Sequence, residues 1–491
     1  MTEEAVIGIL SAIVWTPLIG LAVVLMIPQD NPARVRAAAL VAAAVPLALS
    51  LSLLAGFDRA DATPQFGESH TWIPELGMTY TLAVDGLSLP LVLLTTLLVF
   101  VALLSSLHIA RSPKTFYVWV LLLESSCLGV FVARDWFLLY VFWEIALVPM
   151  FFLIGLWGGP QKERATMTYF LYTLGGSIFM LIGIFAVYLA ADPHTFDMDA
   201  LQAASHGWTA AFQVAPFLAL LAGFAVKIPI FPLHGWLPLA HVQAPAPVSI
   251  ILSGVMLKLG AYGLLRSTEI LPEGVRRMAP LLFALALVNI LYGAFLAFRQ
   301  SDVKAIVAFS SISHMGFVLL GIAALNQTGF SGAVFMMIAH GIVTGCLFLL
   351  SGVLYERTGT LALDEIAGVG SRMLAFKALF TLTLLASMGL PGLIQFPGEV
   401  QVLLGGFESF GLIVLLGAAG ILITATFTLR VIGGVLADDT ENRWAGLSDV
   451  RGAELAAITP LAVLTVILGV APGIALGLSN TTIETLIARF G

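Results

Sequence analysis

The chain has 491 residues, 59% hydrophobic and only 10% charged, with a formal net charge of −7 and a mean hydropathy of +1.01. Ordinary soluble domains carry about 25% charged residues, so a soluble core is excluded, and no stretch is long or polar enough to form a soluble domain. Runs of roughly 20 apolar residues recur along the whole length and describe an all-α membrane protein that crosses the bilayer many times.

Fourteen spans are predicted. The first, 5–27, begins near Ala5 behind Glu3 and Glu4. A signal peptide would need a basic start, so this span is read as an uncleaved first helix. The others follow at 34–56, 86–107, 115–132, 135–157, 166–190, 214–237, 246–265, 278–298, 302–325, 330–354, 372–398, 411–435 and 455–478. Cys127 and Cys346 both fall in such runs and offer no disulfide framework, zinc spacing or iron–sulfur pattern. With no glycine-rich nucleotide loop either, no redox cofactor is expected in this chain, and no nucleic-acid partner.

The Lys/Arg bias sets the orientation. With the N-terminus outside, fourteen of the 22 Lys and Arg fall on the inner side and six outside, leaving Lys227 and Lys258 within the membrane. The expected location is a bacterial inner (cytoplasmic) membrane, with both termini periplasmic.

Two spans are interrupted. The seventh reads Lys227-Ile228-Pro229-Ile230-Phe231-Pro232-Leu233-His234, and the twelfth reads Gly389-Leu390-Pro391-Gly392 and then Phe396-Pro397-Gly398-Glu399. Proline removes a backbone donor and clashes with the preceding turn, so both helices should break. In lipid the freed backbone groups need protein or water partners, so each break marks an internal polar cavity. The breaks lie five spans apart, which suggests two inverted five-helix repeats, spans 4–8 and 9–13, an architecture common in transporters. The expected organisation is 1–110 for helices 1–3, 111–268 for the first repeat, 277–436 for the second and 437–491 for helix 14.

Charges inside the spans are expensive and usually functional. Glu144 lies mid-span among aromatic residues, and Lys227 lies at the first break. A Glu144–Lys227 pair would lower the desolvation cost of each; the plainer alternative is a static ion pair that orients two helices. Lys258 sits in a glycine-rich span between Gly254 and Gly260, where small residues allow close packing, although a snorkelling lysine is the alternative. His314 and His340 lie in adjacent spans and can relay protons or be hydrogen-bonded core histidines. Glu399 follows the second break. His234 and His241 flank the first break, and a metal reading of them is weak because no carboxylate or thiolate lies at ligand spacing. Glu124 has no assigned partner, and Ser125 and Ser126 are the expected groups to satisfy it. Glu124, His234 and Lys304 are secondary candidates. In order, Glu144, Lys227, Lys258, His314, His340 and Glu399 occur on spans 5, 7, 8, 10, 11 and 12 and can form one hydrated, proton-conducting chain.

These residues also carry a resemblance. The run from Pro232-Leu233-His234-Gly235-Trp236-Leu237-Pro238 through His241-Val242-Gln243-Ala244-Pro245 to Leu257-Lys258-Leu259-Gly260 resembles the chain-4-type, antiporter-like membrane subunits (chain M type) of proton-pumping NADH:quinone oxidoreductase, respiratory complex I. Phe142-Trp143-Glu144, Asp302-Val303-Lys304-Ala305 and Ser310-Ser311-Ile312-Ser313-His314 match as well. The resemblance implies fourteen helices with inverted repeats and a proton-translocating role for Glu144, Lys227, Lys258, His314, His340 and Glu399. It also implies NADH, FMN, iron–sulfur clusters and quinone in partner subunits, and neighbouring antiporter-like chains and lipid as contacts.

Two departures stand out. Pro397 is an extra proline beside Glu399 that puts the local helix geometry in question, and Pro245-Ala246-Pro247-Val248-Ser249 is a variable loop. Subunits of multisubunit Na+/H+ antiporters look similar over the same helices but usually carry lysine where this chain has Glu399. Arms of membrane-bound hydrogenase-type complexes share the pattern, and a membrane scaffold would gain nothing from six desolvated titratable groups.

Overall fold

The computed structural model describes residues 8–436, 443–444 and 446–490. The expected first-span start at Ala5, with Glu3 and Glu4, and the expected boundary at 437 lie outside the described residues.

The first helix, α1 (Ile9–Met26), leads to α2 (Pro32–Gly56). Pro32 sits in the first turn of α2, where its missing N–H costs nothing, and the Asn31 side chain accepts from the Arg34 amide. The loop expected at 57–85 holds a two-stranded antiparallel hairpin, β1 (Gln65–Ile73) and β2 (Met78–Val84). The Glu68 carboxylate of β1 accepts the Leu10 amide at 2.7 Å and so caps α1.

The chain continues through α3 (Leu89–Ser105), α4 (Pro113–Val132), α5 (Trp136–Trp157), α6 (Lys162–Ala190) and the short α7 (Met198–Ala204) to α8 (Ala210–Lys227). Asp135 caps α5 by accepting the Phe137 and Leu138 amides, both at 2.9 Å. Helix α8 ends at Lys227, and residues 228–235 form the break before α9 (Trp236–Gln243). Next, α10 (Ala246–Ile251) passes through a π turn (Leu252–Met256) into α11 (Leu257–Ile270), giving one continuous rod, Ala246–Ile270.

The remaining helices are α12 (Pro272–Arg299), α13 (Val303–Ala323), α14 (Gln327–Thr358), α15 (Leu374–Ser387), α16 (Gln395–Phe410), α17 (Leu415–Leu436), α18 (Ala453–Val470) and α19 (Gly473–Ile487). Asp302 caps α13, Asn326 caps α14, and Gly359, at φ 74°, ends α14 in the left-handed conformation.

Twelve helical segments among the described residues are long and apolar enough to cross a membrane; one of them, Gln395–Val435, contains both α16 and nearly all of α17. Leu89–Ser105 and Leu374–Ser387 are shorter apolar helices. Both expected breaks are present. The last predicted span divides: α18 stops at Val470, and α19 runs against the hairpin region, where Thr482 Oγ1 accepts from the Gly86 amide at 3.0 Å.

Burial separates the helices by role. The most apolar windows of Ala246–Ile270 and Gln327–Thr358 are 100% buried, and that of Val303–Ala323 is 94% buried, whereas those of α1 and α2 are 33% buried. The three shielded rods carry Lys258, His314 and His340, so those polar groups are kept out of lipid contact. The hairpin, α7 and α19 gather at one end of the bundle, the hairpin face; loops near 108, 159, 244, 302 and 361 gather at the other.

Candidate functional site

The first break places Lys227 at the end of α8. The side chain is 2% exposed, and its Nζ has no hydrogen-bond partner. It lies 5.4 Å from the Trp143 ring centroid and 5.6 Å from that of Tyr169, a cation held against two aromatic rings. Cys127 and Glu144 are its neighbours in electrostatic range. The expected Glu144–Lys227 ion pair is not closed: Glu144 Oε1 is likewise without a partner, and Glu144 lies on the partly exposed side of α5 beside Tyr140.

The loosened backbone of this break is tied across the molecule by Asn289 of α12. Its Oδ1 accepts from the Phe231 amide at 2.8 Å, and its Nδ2 donates to the Pro229 carbonyl at 3.1 Å. Gly260 lets α11 lie against the same place, since a Cβ there would come within 2.9 Å of Lys227 Cβ. Sequence reasoning missed Asn289, although a lone amide inside an apolar span is the kind of signal that marks a polar partner.

From Lys258 onward the candidate residues form a near-continuous line. Lys258 is 0% exposed, and its Nζ donates to the Ser253 carbonyl and to His340 Nδ1, each at 2.6 Å. The carbonyl is freed by the π turn. The Leu257 amide reaches back five residues to Leu252, so Ser253 loses its ordinary helical donor and the lysine takes its place. With Lys258 charged, His340 Nδ1 is an acceptor and its proton sits on Nε2.

His314 follows, its ring centroid 5.7 Å from that of His340 at an interplanar angle of 68°, a spacing one water can bridge. The His314 ring faces the Ser387 backbone carbonyl, although neither ring nitrogen makes a well-formed hydrogen bond. Ser387 ends α15 at the second break. Its carbonyl accepts from Gln395 Nε2 at 3.1 Å, and the same Nε2 donates to Glu399 Oε1 at 3.2 Å.

The second break, residues 388–394, holds Gly389 at φ 75°; a Cβ there would stand 2.2 Å from Glu399 Oε2, so this glycine makes room for the carboxylate. Pro397 does not lengthen the break. It lies in the first turn of α16, where a missing N–H and a fixed φ fit the helix. Gln395 is a second residue that sequence reasoning passed over.

The secondary candidates divide. His234 stacks on Phe231 with Tyr292 edge-on, at the partly exposed side of the molecule and off the line. Glu124 is fully buried with neither oxygen partnered. The neighbouring serines do not satisfy it, because Ser125 donates to the Val14 carbonyl and Ser126 to that of Leu122, both at 2.7 Å. Lys304 is buried and donates to the Ala244 carbonyl. It borders a cavity of about 550 Å³ that opens at the face opposite the hairpin, lined also by His108, Asp302 and Glu356. His241, fully buried, stacks on Phe348 at 4.6 Å and lies within electrostatic range of both Lys304 and Lys258. Among the described residues, no three His, Cys, Asp or Glu side chains are grouped to hold a metal ion.

On the hairpin face the chain builds a cluster of permanent charges. Arg266 Nη2 donates to Asp85 Oδ1 at 2.8 Å, and its Nη1 lies 2.6 Å from Asp85 Oδ2 and 2.5 Å from Glu269 Oε1. Arg134 Nη1 stands 3.8 Å from Asp85 and 3.7 Å from Glu269, while Arg134 Nη2 reaches Asp199 at 2.5 Å. Burial pushes the Asp85 carboxyl up, but the Arg266 and Arg134 guanidinium groups more than offset it and hold Asp85 at about 2.

Residues 133–427 match the family described as "NADH:quinone oxidoreductase/Mrp antiporter, TM". The chain belongs to this family. The matched segment contains Glu144, Lys227, Lys258, His314, His340 and Glu399, together with Asn289 and Gln395. Among curated relatives, the NADH-quinone oxidoreductase subunit M of Rhodobacter capsulatus is 39% identical over 501 residues, covering 98% of this chain and 97% of the relative. The NAD(P)H-quinone oxidoreductase chain 4 1 of Synechococcus sp. (strain JA-2-3B'a(2-13)) is 41% identical over 479 residues, covering 94% and 88%. A chain in the structure of respiratory complex I from Thermus thermophilus with bound NADH superposes with a TM-score of 0.88 at 32% identity, covering 98% of this chain and 99% of that one. The family's fold thus extends over the whole chain, beyond the matched segment.

Proposed function

We propose that this chain translocates protons as an antiporter-like membrane subunit of an NADH:quinone oxidoreductase, with the redox chemistry in other subunits. The observation that carries the reading is the 2.6 Å contact between Lys258 Nζ and His340 Nδ1 in a fully buried setting. An ammonium with no carboxylate beside it and an imidazole as its acceptor can exchange a proton with little rearrangement. Moving one charge against the membrane potential takes about 2.3 kcal/mol per 100 mV, so a titratable waypoint at mid-membrane lowers the barrier.

In this reading protons reach Lys258 from the face opposite the hairpin, by way of Lys304 and His241. They leave through His340, His314 and Glu399. Glu144 and Lys227 form the control element. When the carboxylate and ammonium approach, each favours the other's charged form; when they part, as here, Lys227 is free to give up its proton toward Lys258. The partly exposed Glu144 senses a neighbouring antiporter-like chain in this reading. The two five-helix units, 111–268 and 277–436, then act as the two halves of one path. In this reading NADH, FMN, iron–sulfur clusters and quinone belong to partner subunits, and the Lys/Arg bias supports periplasmic termini in a bacterial inner membrane.

Lys258→Arg tests this reading. Arginine keeps the charge but does not release its proton. The assembled complex should form and oxidise NADH while moving fewer protons per electron pair in reconstituted vesicles. Wild-type stoichiometry in this variant would exclude deprotonation at Lys258 and leave a fixed structural charge.

A further inference from the structure

Lys258, Tyr262, Arg266 and Glu269 are spaced by four, four and three residues, so they form one polar stripe along α11 from the middle of the bundle to the hairpin face. The stripe ends at a cavity of about 370 Å³ lined by Asp85, Arg134, Asp199, Glu269, Thr482 and Arg489, among others. A polar stripe joining a proton-holding lysine to a cavity at the hairpin face is either an outlet or a seal, and the bonding along it decides between them.

Tyr262 donates its hydroxyl proton to the Phe131 carbonyl at 2.9 Å, and its oxygen accepts from Arg266 Nε at 2.9 Å. The next group is a guanidinium, which has donors only and stays protonated. Its remaining donors are committed to Asp85 and Glu269, and Arg134 brings a second guanidinium to the same two carboxylates. A proton travelling along α11 in either direction would meet a fixed cation with no lone pair to accept it. The opposite side of Lys258 differs in kind, for His241 and Lys304 are both titratable and lead to the larger cavity.

We propose that Arg266, backed by Arg134 and fixed by Asp85 and Glu269, is an electrostatic plug that closes the hairpin face of the bundle to protons. It would prevent the proton held at Lys258 from being exchanged with that side except through His340, His314 and Glu399. This rests on the proton-translocation reading above but concerns leakage rather than turnover. Along the helix, Arg266 stands about 12 Å from Lys258 at 1.5 Å per residue. Asp85 and Glu269 balance the two guanidinium groups, so removing Arg266 alone takes one unit charge from the cluster; at that distance and an effective dielectric constant near 20, this change alters the local proton population about tenfold.

The test uses the whole complex in sealed vesicles without NADH, with a potassium diffusion potential imposed and proton flux followed by an internal pH dye. Arg266→Gln should raise the passive proton conductance about tenfold, Arg266→Lys, which keeps the charge on a group able to release its proton, should fall between Arg266→Gln and the wild type, and Tyr262→Phe should change neither the leak nor the protons moved per electron pair. An assembled Arg266→Gln complex with wild-type tightness overturns the plug. Should Arg266→Gln fail to assemble, Tyr262→Phe still decides: a loss of pumping with normal assembly makes the stripe an outlet and overturns the plug. A normal Lys258→Arg stoichiometry, by contrast, sinks the translocation reading and leaves the leak measurement standing by itself.

Discussion

At the first break a lysine ammonium without a hydrogen-bond partner rests between Trp143 and Tyr169, and the broken backbone is held from outside by Asn289 of α12. At the second break a carboxylate shares an amide donor with the backbone: Gln395 joins Ser387 to Glu399, while the Ile394 amide donates to the Thr465 carbonyl of α18 at 3.0 Å. Proline-rich interruptions of similar appearance therefore do different things. The first leaves a cation poorly satisfied and ties it mechanically to the other half of the molecule, which suits a group that must switch. The second gives an acid one amide donor from its own helix, Gln395 Nε2, which suits a terminus that loads and discharges in one place.

The contrast is broken most severely at Gly389. Gly389→Ala puts a Cβ against Glu399 Oε2 and asks a non-glycine residue to adopt a φ of 75°. Strain of this kind costs about 1–3 kcal/mol. A lower midpoint of thermal unfolding for the solubilised complex, together with fewer protons per electron pair, is expected; an unaffected complex would show that the second break tolerates slack.

Asn289→Leu attacks the other break. It strips partners from the Phe231 amide and the Pro229 carbonyl, and leaving such groups unpaired costs about 1–3 kcal/mol. The expected outcome is weakened coupling with a detectable complex, read as protons per electron pair beside assembly on native gels. Equal pumping would mean that the clamp between the halves is dispensable.

Trp143→Leu is milder. It removes one ring from beside Lys227, a contact worth about 0.5–2 kcal/mol. Proton transfer should slow several-fold while assembly is kept, and the effect should vanish in a Lys227→Met background, where no cation remains to be held. Additive losses in the double variant would show instead that Trp143 acts through packing.

Much of this arrangement was legible in the sequence because membranes make charge informative. Glu144, Lys227, Lys258, His314, His340 and Glu399 were marked by their cost in apolar spans, and both breaks by their prolines and glycines. The order of these residues on successive spans pointed to one proton-conducting chain, and the resemblance implied the same role for each of them. What escaped was whatever depends on partners distant in sequence. Nothing in the run Leu257-Lys258-Leu259 announces that a π turn five residues earlier frees a carbonyl for Lys258. Asn289 and Gln395 read as isolated amides until the folded chain set them against the two breaks. The hairpin at 65–84 escaped because β1 keeps little buried alternation, with one face on α1 and the rest exposed. Pro397 was misjudged because a proline near a break reads as part of it, whereas its position in the first turn of α16 makes it a start signal.

The central claim is that protons leave Lys258 through His340 and His314 and finish on Glu399. Glu399→Gln preserves the shape of the side chain and its hydrogen bond from Gln395 but cannot titrate. The direct measurement is proton uptake per electron pair in vesicles containing the assembled complex. The account predicts normal assembly with lowered stoichiometry and rate; unchanged values for both would contradict it and leave Glu399 as a cap on a broken helix.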